Sequence, residues 1–164
     1  MRSGSLGVLG GTFDPFHLGH LALARTARDE LRLERVLVVP AAQPPHKPGR
    51  PVSPGEVRLE MVEAGIAGEP RLEASRIELD RTGPSYTVDT LEELAGEERA
   101  AGREPDLVLI LSAESFAGFR SWREPERILD LARVAVAPRD GMPPPDAATI
   151  ARVAGDAAGR VLPI

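Results

Sequence analysis

The chain has 164 residues, of which 42% are apolar and 27% are charged, and its formal net charge at pH 7 is -5. This length and composition predict one compact domain over residues 1–164, long enough to bury roughly two thirds of the surface that the unfolded chain exposes. The negative charge argues against a general nucleic-acid-binding protein, which would need a basic face, so any anionic ligand must be met by local groups.

The sequence contains no cysteine. Disulfide bonds, a thiolate nucleophile and a cysteine-ligated zinc site are therefore excluded. The first apolar stretch, residues 6–9, is far shorter than the roughly 20 apolar residues that a membrane-spanning helix needs, and no other run approaches that length. We therefore expect a cytoplasmic protein without a membrane partner.

Short apolar runs alternate with helical patterns along the chain. Apolar runs of strand length predict β-strands at residues 5–10, 36–39, 71–79, 107–111, 133–137 and 161–162, the third of them polar and at an edge. Apolar spacings of three and four predict helices at residues 21–31, 56–66, 87–100 and 147–153. Strands separated by helices imply parallel βαβ units, so the predicted fold class is α/β, with a doubly wound, Rossmann-like parallel sheet.

The most informative segment joins the first strand to the first helix. Residues 10–20 read Gly-Gly-Thr-Phe-Asp-Pro-Phe-His-Leu-Gly-His. Gly10 and Gly11 let the backbone approach a phosphate closely, and the amides at the start of the following helix favour anions. His17 and His20 are three residues apart, so both rings can lie on one side of a helical turn and donate hydrogen bonds to a phosphoryl group. Because ligands bind beyond the carboxyl ends of parallel strands, we expect this loop to hold phosphate.

A second candidate segment carries the remaining histidine, His46, and the single lysine, Lys47. Of the 20 lysine and arginine residues, all but Lys47 are arginine. One lysine in an arginine-rich chain indicates a need for a compact, mobile point charge, such as one that holds a phosphate oxygen. We therefore predict that this loop and the glycine-rich loop form one phosphate site.

Other interpretations account for residues 10–20 less well. No Gly-Lys-Ser/Thr follows, so the segment is not a Walker loop, and its glycine spacing differs from G-x-G-x-x-G. A metal site built on the two histidines would need a third ligand, for which Asp14 is the candidate. An ordinary helix entry with two surface histidines stays open.

Residues 10–20 resemble the G-G-T-F-D-P-x-H-x-G-H signature of bacterial nicotinate mononucleotide adenylyltransferases, in the nucleotidylyltransferase superfamily, whose H-x-G-H element handles nucleotide phosphates. Further matches follow in order, so that the resemblance covers about residues 5–140. They are residues 39–40 with 44–47, similar to the family's second loop, residues 83–91, similar to its nicotinate-side loop, and Trp122 with residues 131–133 and 138–139, similar to its aromatic segment.

The resemblance implies a nucleotidylyltransferase domain that transfers AMP from ATP to nicotinate mononucleotide, giving deamido-NAD and pyrophosphate in NAD biosynthesis. The phosphate of the mononucleotide attacks the α-phosphorus of ATP in line, so the protein must mainly align two anions and neutralise their charge. No general base is needed, since the attacking phosphate is already ionised. Mg²⁺ would be carried by the phosphates rather than by a protein site. A homo-oligomer stays open.

The same resemblance implies the roles of particular residues. The implied catalytic residues are His17, His20 and Lys47. The implied ATP and phosphate contacts are Gly10, Gly11, Thr12, Phe13, His17, His20, Lys47 and Glu114. The implied nicotinate contacts are Tyr86, Thr87 and Trp122.

Chemistry supports two of the nicotinate contacts. A nicotinate ring joined to ribose is a cationic pyridinium, which suits the indole face of Trp122. Its carboxylate would meet backbone amides near Thr87, where a helix begins. A half-buried packing role for Trp122 and an N-cap role for Thr87 stay open as alternatives.

The chain departs from the family pattern in three places. Glu114 stands in a Ser-Ala-Glu sequence where the family has Gly-Ala-Asp, so its carboxylate reaches about one methylene further. Gly118 replaces an aromatic residue that relatives often carry four positions before the tryptophan, which leaves Phe116 or Phe119 to cover the ring. The family's closing Ile-Ser-x-Thr-x-Ile-Arg-like stretch, which holds ATP, is absent, so we expect a truncated chain, with Arg139 as a candidate nearby cation.

Two other functions stay open. A nucleotidylyltransferase for nicotinamide mononucleotide or another phosphorylated acceptor would lack a carboxylate preference at the Thr87 helix start. A non-catalytic nucleotide-binding fragment would bind ATP without releasing pyrophosphate. A class I tRNA synthetase is excluded, because the chain is too short and not basic enough to hold the tRNA-binding parts.

Overall fold

The computed structural model describes residues 4–45, 51–138 and 143–164. The predictions for His46, Lys47 and Arg139 fall outside the described residues. Within those ranges six parallel strands form one sheet in the order β3-β2-β1-β4-β5-β6. The strands are β1 (Leu6–Gly11), β2 (Arg35–Pro40), β3 (Leu72–Ala74), β4 (Leu107–Ser112), β5 (Ala132–Ala137) and β6 (Val161–Pro163). The predicted doubly wound α/β class is confirmed.

Helices connect the strands. They are α1 (Leu18–Glu30), α2 (Gly55–Ile66), α3 (Thr87–Ala100), α4 (Ala113–Ala117), α5 (Pro125–Leu131) and α6 (Ala147–Ala154). Periodicity does not predict α4 and α5, because five and seven residues are too short to repeat an apolar spacing. No helix in the described part of the chain combines the length and the apolarity that crossing a bilayer requires.

Alternate residues of the central strands pack into two separate cores. Leu107, Leu109 and Leu111 of β4 pack with α3 and α5, whereas Val108 and Ile110 pack with α1 and α2. A strand that is buried on both faces has to be apolar throughout, which explains the uninterrupted run in β4. Full burial of one such side chain stabilises the fold by about 1.5–3 kcal/mol.

The predicted strand over residues 71–79 is wrong beyond the third residue of β3. The Ser75 N–H donates the last bond to the neighbouring strand, to the Val38 carbonyl at 2.9 Å. The Arg76 side chain then binds Asp80 at 3.0 Å, so the chain turns away from the sheet. The predicted edge position is confirmed, since β3 is the outermost strand beside β2.

The two central strands, β1 and β4, mark the point where the strand order reverses. From β1 the chain moves outward to β2 and β3, and it then returns to β4 and continues outward to β5 and β6 on the other side. Ligands of open α/β sheets bind beyond the carboxyl ends of the strands at such a point. The glycine-rich loop that follows β1 therefore lies at the place where a ligand is expected.

Candidate functional site

A cavity of about 730 Å³ opens at the carboxyl ends of β1 and β4. This volume is in the usual range for small-molecule sites. Its wall includes most of the residues that the sequence analysis selected, namely Gly10, Gly11, Thr12, His17, His20, Tyr86, Thr87, Glu114 and Trp122. The structure thus brings the two histidines and the three residues selected for nicotinate contact to one cavity.

His17 and His20 cap the first turn of α1 reciprocally. Nδ1 of His17 accepts the Gly19 N–H at 3.1 Å, and Nδ1 of His20 accepts the His17 N–H at 3.1 Å. The two rings stack with their centroids 3.7 Å apart. Because each Nδ1 is an acceptor, the proton of a neutral imidazole lies on Nε2. Each ring therefore carries its N–H donor on Nε2.

Two phenylalanines hold the His20 ring in place. The Phe13 ring meets it edge-on with a centroid distance of 4.9 Å, and the Phe16 ring stacks on it at 5.5 Å. Phe13 was selected from the sequence as an ATP contact, but its side chain is only 2% exposed and does not line the cavity. Its ring supports the histidine instead.

Two glycines of the loop are required by neighbouring rings. A Cβ at Gly19 would lie 3.0 Å from Cε1 of His17, and a Cβ at Gly11 would lie 2.8 Å from Cε1 of Phe13. Gly10 has no such neighbour, since its Cβ would come no closer than 3.9 Å to the Val39 carbonyl. The sequence analysis assigned Gly11 to close approach of a phosphate, whereas packing of a ring is a second reason for this glycine.

The start of α3 carries Tyr86 and Thr87, two of the residues selected for nicotinate contact, and this part of the cavity wall is called the nicotinate side below. Tyr86 is the N-cap of this helix and makes no side-chain capping bond, and Thr87 is the first helical residue. The alternative role of Thr87 as the N-cap is therefore wrong by one position. The first-turn amides of α3 lack a side-chain cap, which suits an anionic group at this helix start.

Trp122 follows a short 3-10 turn, Phe119–Ser121, and is half-buried. Its ring packs on Phe119, with a centroid distance of 5.5 Å, while it also lines the cavity. Packing and exposure to the cavity therefore coexist. Phe116 and Phe119 are both fully buried, so neither covers a ligand ring in place of the missing aromatic residue.

Three cavity residues were missed by the sequence analysis. The Arg123 guanidinium lies over the Tyr86 ring, 4.7 Å from its centroid, which places a cation beside the nicotinate side. Ser85 accepts the Ala42 N–H on its hydroxyl at 3.0 Å and joins this region to the loop after β2. Ser85 lies within the matched residues 83–91, but a single serine or arginine in a loop has no pattern that assigns it a role.

Glu78 is the third missed residue, a buried carboxyl in the cavity wall. The Thr90 hydroxyl donates to its Oε2 at 2.8 Å. Burial raises the pKa of Glu78 to about 7, although the Thr90 hydrogen bond and the charge of Arg81 act in the opposite direction. The sequence analysis did not select Glu78, because an acidic residue in a predicted polar edge strand is expected to be exposed to solvent.

Glu114 lies in the first turn of α4 and lines the cavity. Ser112 is the N-cap of that helix, and its hydroxyl accepts the Ser115 N–H at 3.1 Å. The serine that stands in place of the family's glycine therefore has a local role, since serine is a favourable N-cap residue.

Comparison with known proteins identifies the family to which this chain belongs. A family model described as cytidylyltransferase-like matches residues 8–156. A protein of Roseiflexus sp. (strain RS-1), named "Probable nicotinate-nucleotide adenylyltransferase", is 49% identical over 141 residues, which are 86% of this chain and 68% of that protein. The chain belongs to the nicotinate-nucleotide adenylyltransferase family. A member from Thermus thermophilus is 46% identical over 138 residues, which are 84% of this chain and 71% of that protein.

Solved structures agree on the fold. The nicotinic acid mononucleotide adenylyltransferase of Plasmodium falciparum, complexed with NaAD, has a TM-score of 0.80 at 14% identity, over 98% of this chain and 74% of that one. At this identity the likeness shows the fold alone. This chain spans between 62% and 71% of the full length of three relatives that are similar to it in sequence.

Proposed function

We propose that this chain transfers the adenylyl group of ATP to nicotinate mononucleotide, giving deamido-NAD and pyrophosphate. The observation that carries the proposal is the reciprocal capping of His17 and His20. It fixes two neighbouring Nε2–H donors on a cavity whose wall also includes Thr87 and Trp122. The cavity can therefore offer hydrogen-bond donors to a phosphate and an aromatic face to a pyridinium.

In this reaction a phosphate oxygen of the mononucleotide forms the new bond to the α-phosphorus of ATP. The bond between the α-phosphorus and the oxygen that bridges to the β-phosphate breaks, and pyrophosphate leaves with that oxygen. Both anions are ionised beforehand, so no proton has to move to a protein base. His17 and His20 donate hydrogen bonds to the phosphate oxygens on which negative charge increases.

ATP enters as its magnesium complex, in which the ion neutralises part of the phosphate charge. Mg²⁺ usually keeps waters and phosphate oxygens and takes only one or two carboxylates from a protein. Glu114, an exposed carboxylate of the cavity wall, is assigned to the ribose and phosphate side of ATP, and the phosphates would carry the ion. Lys47, outside the described residues, is assigned from the sequence to the triphosphate or the incoming phosphate.

Selection of the acid over the amide is assigned to the start of α3. A carboxylate gains from the uncapped first-turn amides near Thr87 and from the Arg123 cation over Tyr86, whereas a neutral amide gains little from either. Trp122 stacks against the pyridinium ring. We also propose that residues 1–164 form one domain, because the six described strands belong to one sheet, and the cytoplasmic location stays a prediction.

The test is pyrophosphate release by the 164-residue chain with ATP, Mg²⁺ and either nicotinate mononucleotide or its amide. We expect kcat/KM for the acid to exceed that for the amide by roughly 10² or more, since a charge-assisted hydrogen bond and a helix start each contribute on the order of 1–2 kcal/mol. Equal rates would favour an enzyme for a different acceptor. ATP binding without pyrophosphate release would favour the non-catalytic alternative.

A further inference from the structure

The side chain of Arg58 is buried beneath the loops of the cavity. It is 1% exposed and lies near the start of α2. Burying a guanidinium costs free energy unless its N–H groups find acceptors. Nη1 donates to the carbonyls of Thr12 at 2.9 Å and Ala41 at 2.5 Å, and Nε donates to the carbonyl of Ser53 at 2.8 Å. Each of these acceptors is a backbone carbonyl of a loop.

Two of these carbonyls belong to loops that line the cavity. Thr12 follows the two glycines that end β1, and Ala41 directly follows β2. The Ala41 N–H also donates to the Gly11 carbonyl at 2.9 Å, so the two loops meet directly beside the guanidinium. A planar fork with fixed donor directions holds two carbonyls at one separation, which a flexible ammonium cannot do.

A longer contact reaches the residue after Ala41. Nη2 of Arg58 reaches the Ala42 carbonyl at 3.5 Å, and the Ala42 N–H donates to the Ser85 hydroxyl at 3.0 Å. Burial lowers the pKa of Arg58 and the nearby Asp14 opposes this effect, but a guanidinium stays charged near neutral pH because its ordinary pKa lies above 12. The hydrogen bonds from the Arg58 guanidinium to the loop carbonyls, called the clamp below, therefore persist near neutral pH.

We propose that Arg58 is a positioning residue of the ATP side, which sets the distance between the glycine-rich loop and the loop that begins at Ala41 without touching substrate. This inference rests on the proposed adenylyl transfer. It predicts that weakening the clamp loosens both loops, lowers kcat and raises KM for ATP, while KM for the mononucleotide changes much less because α3 carries those contacts.

The experiment compares Arg58→Lys with Arg28→Lys. Arg28 is also buried, at 7% exposure, but it lies on α1, binds Asp29 and the Pro70 carbonyl, and does not line the cavity. Hydrogen exchange of the Ala41 and Ala42 amides is measured in both variants, together with kcat and both KM values. We expect Arg58→Lys to speed exchange of these amides about tenfold and to lower kcat/KM for ATP about 10²-fold.

Arg28→Lys is expected to lower Tm about as much as Arg58→Lys does. It should leave the exchange of the Ala41 and Ala42 amides, kcat and both KM values as in the wild type. Unchanged exchange in Arg58→Lys, or a loss of kcat/KM no larger than in Arg28→Lys, would overturn the proposal. If Arg58→Lys does not fold, Arg58→Gln carries the same comparison, because it buries no charge and keeps one NH₂ donor. Exchange does not depend on turnover, so it separates failure of the clamp from failure of the proposed reaction.

Discussion

His17 and His20 show how one local hydrogen-bond pattern can serve both the helix and the chemistry. Each ring uses Nδ1 to cap α1, which places the N–H donor on Nε2, the atom that the proposed function assigns to a phosphate. The usual capping box has Ser or Thr followed three residues later by Glu or Gln. Here two histidines fill both positions, so the ring orientation is fixed by the backbone itself.

Replacing His20 by alanine is expected to lower kcat by about 10²-fold or more while the fold persists. The variant loses one donor to the developing phosphate charge, which commonly costs a factor of about 10² or more in kcat. The readouts are kcat for pyrophosphate release and the far-ultraviolet circular dichroism spectrum. Leu18→Ala, at an 81% exposed position of the same turn, is the matched control and should keep wild-type kcat. Near-normal turnover of His20→Ala would contradict the assigned role.

Gly19→Ala tests whether the ring position of His17 matters apart from its presence. The new Cβ would lie 3.0 Å from Cε1 of that ring, so the ring must move. We expect kcat to fall about tenfold. Tm should change little, because the helix-propensity gain of up to about 1 kcal/mol offsets a weakened cap of similar size.

The control for this change is Gly96→Ala in α3, where a Cβ meets no neighbour within 4 Å. It should raise the free energy of unfolding by about 0.5–1 kcal/mol and leave kcat unchanged. A wild-type kcat in Gly19→Ala would show that the His17 ring position is unimportant.

Trp122→Ala is expected to act on the mononucleotide rather than on ATP. Loss of a cation–π contact of about 1–2 kcal/mol should raise KM for nicotinate mononucleotide about tenfold and leave KM for ATP within twofold. Steady-state kinetics with each substrate varied in turn separates the two values. An unchanged KM for the mononucleotide would leave Trp122 with packing on Phe119 as its only role.

At the scale of elements, residues 78–90 form a segment that returns the chain to the start of α3. The Thr90 hydroxyl connects the two ends of this segment, because it donates to Glu78 at 2.8 Å. The same hydroxyl accepts from Arg81 Nη2 at 2.8 Å. The Tyr86 backbone, and with it the nicotinate side, lies inside this closed segment. A change in the charge of Glu78 therefore alters the hydrogen bonding that holds this part of the cavity wall.

The buried carboxyl makes stability depend on pH. With the pKa of Glu78 raised from 4.5 to about 7, the folded protein binds this proton more tightly than the unfolded chain does. Its contribution is full below about pH 4.5 and is lost as the pH rises through about 7. Glu78→Gln cannot ionise, so its stability advantage over the wild type should grow by roughly 2 kcal/mol between pH 5 and pH 8.

Urea unfolding of both proteins at the two pH values measures this difference, with Glu63→Gln at an exposed position of α2 as the matched replacement of a carboxyl by an amide. A constant difference between wild type and Glu78→Gln would mean that the carboxyl is hydrated in the folded protein.

The sequence was sufficient for elements whose pattern is local and long. The bounds of α3 agree with the prediction, and the predicted strands of the central sheet are correct to within one residue at most ends. It was insufficient where a contact made far away decides the outcome. The end of β3, the capping role of Ser112 and the buried guanidinium of Arg58 depend on neighbours that periodicity does not reveal.

At the scale of the whole molecule, the sheet brings residues from distant parts of the chain to one edge. The reversal of strand order between β1 and β4 opens the cavity, and the two helical layers bury both faces of the strands that frame it. His17, Thr87 and Trp122 thereby line one volume although 105 residues separate the first from the last. The proposed chemistry depends on what this cavity binds.

The most direct test is to quantify both products formed by the 164-residue chain from ATP, Mg²⁺ and nicotinate mononucleotide, by chromatography for deamido-NAD and by an enzyme-coupled assay for pyrophosphate. Adenylyl transfer predicts that the two products appear in a one-to-one ratio and that the rates of formation of both fall together by about 10²-fold or more in His20→Ala. Pyrophosphate without the dinucleotide would indicate hydrolysis of ATP, and no product with ATP bound would indicate a binding protein. Either result would contradict adenylyl transfer at this site.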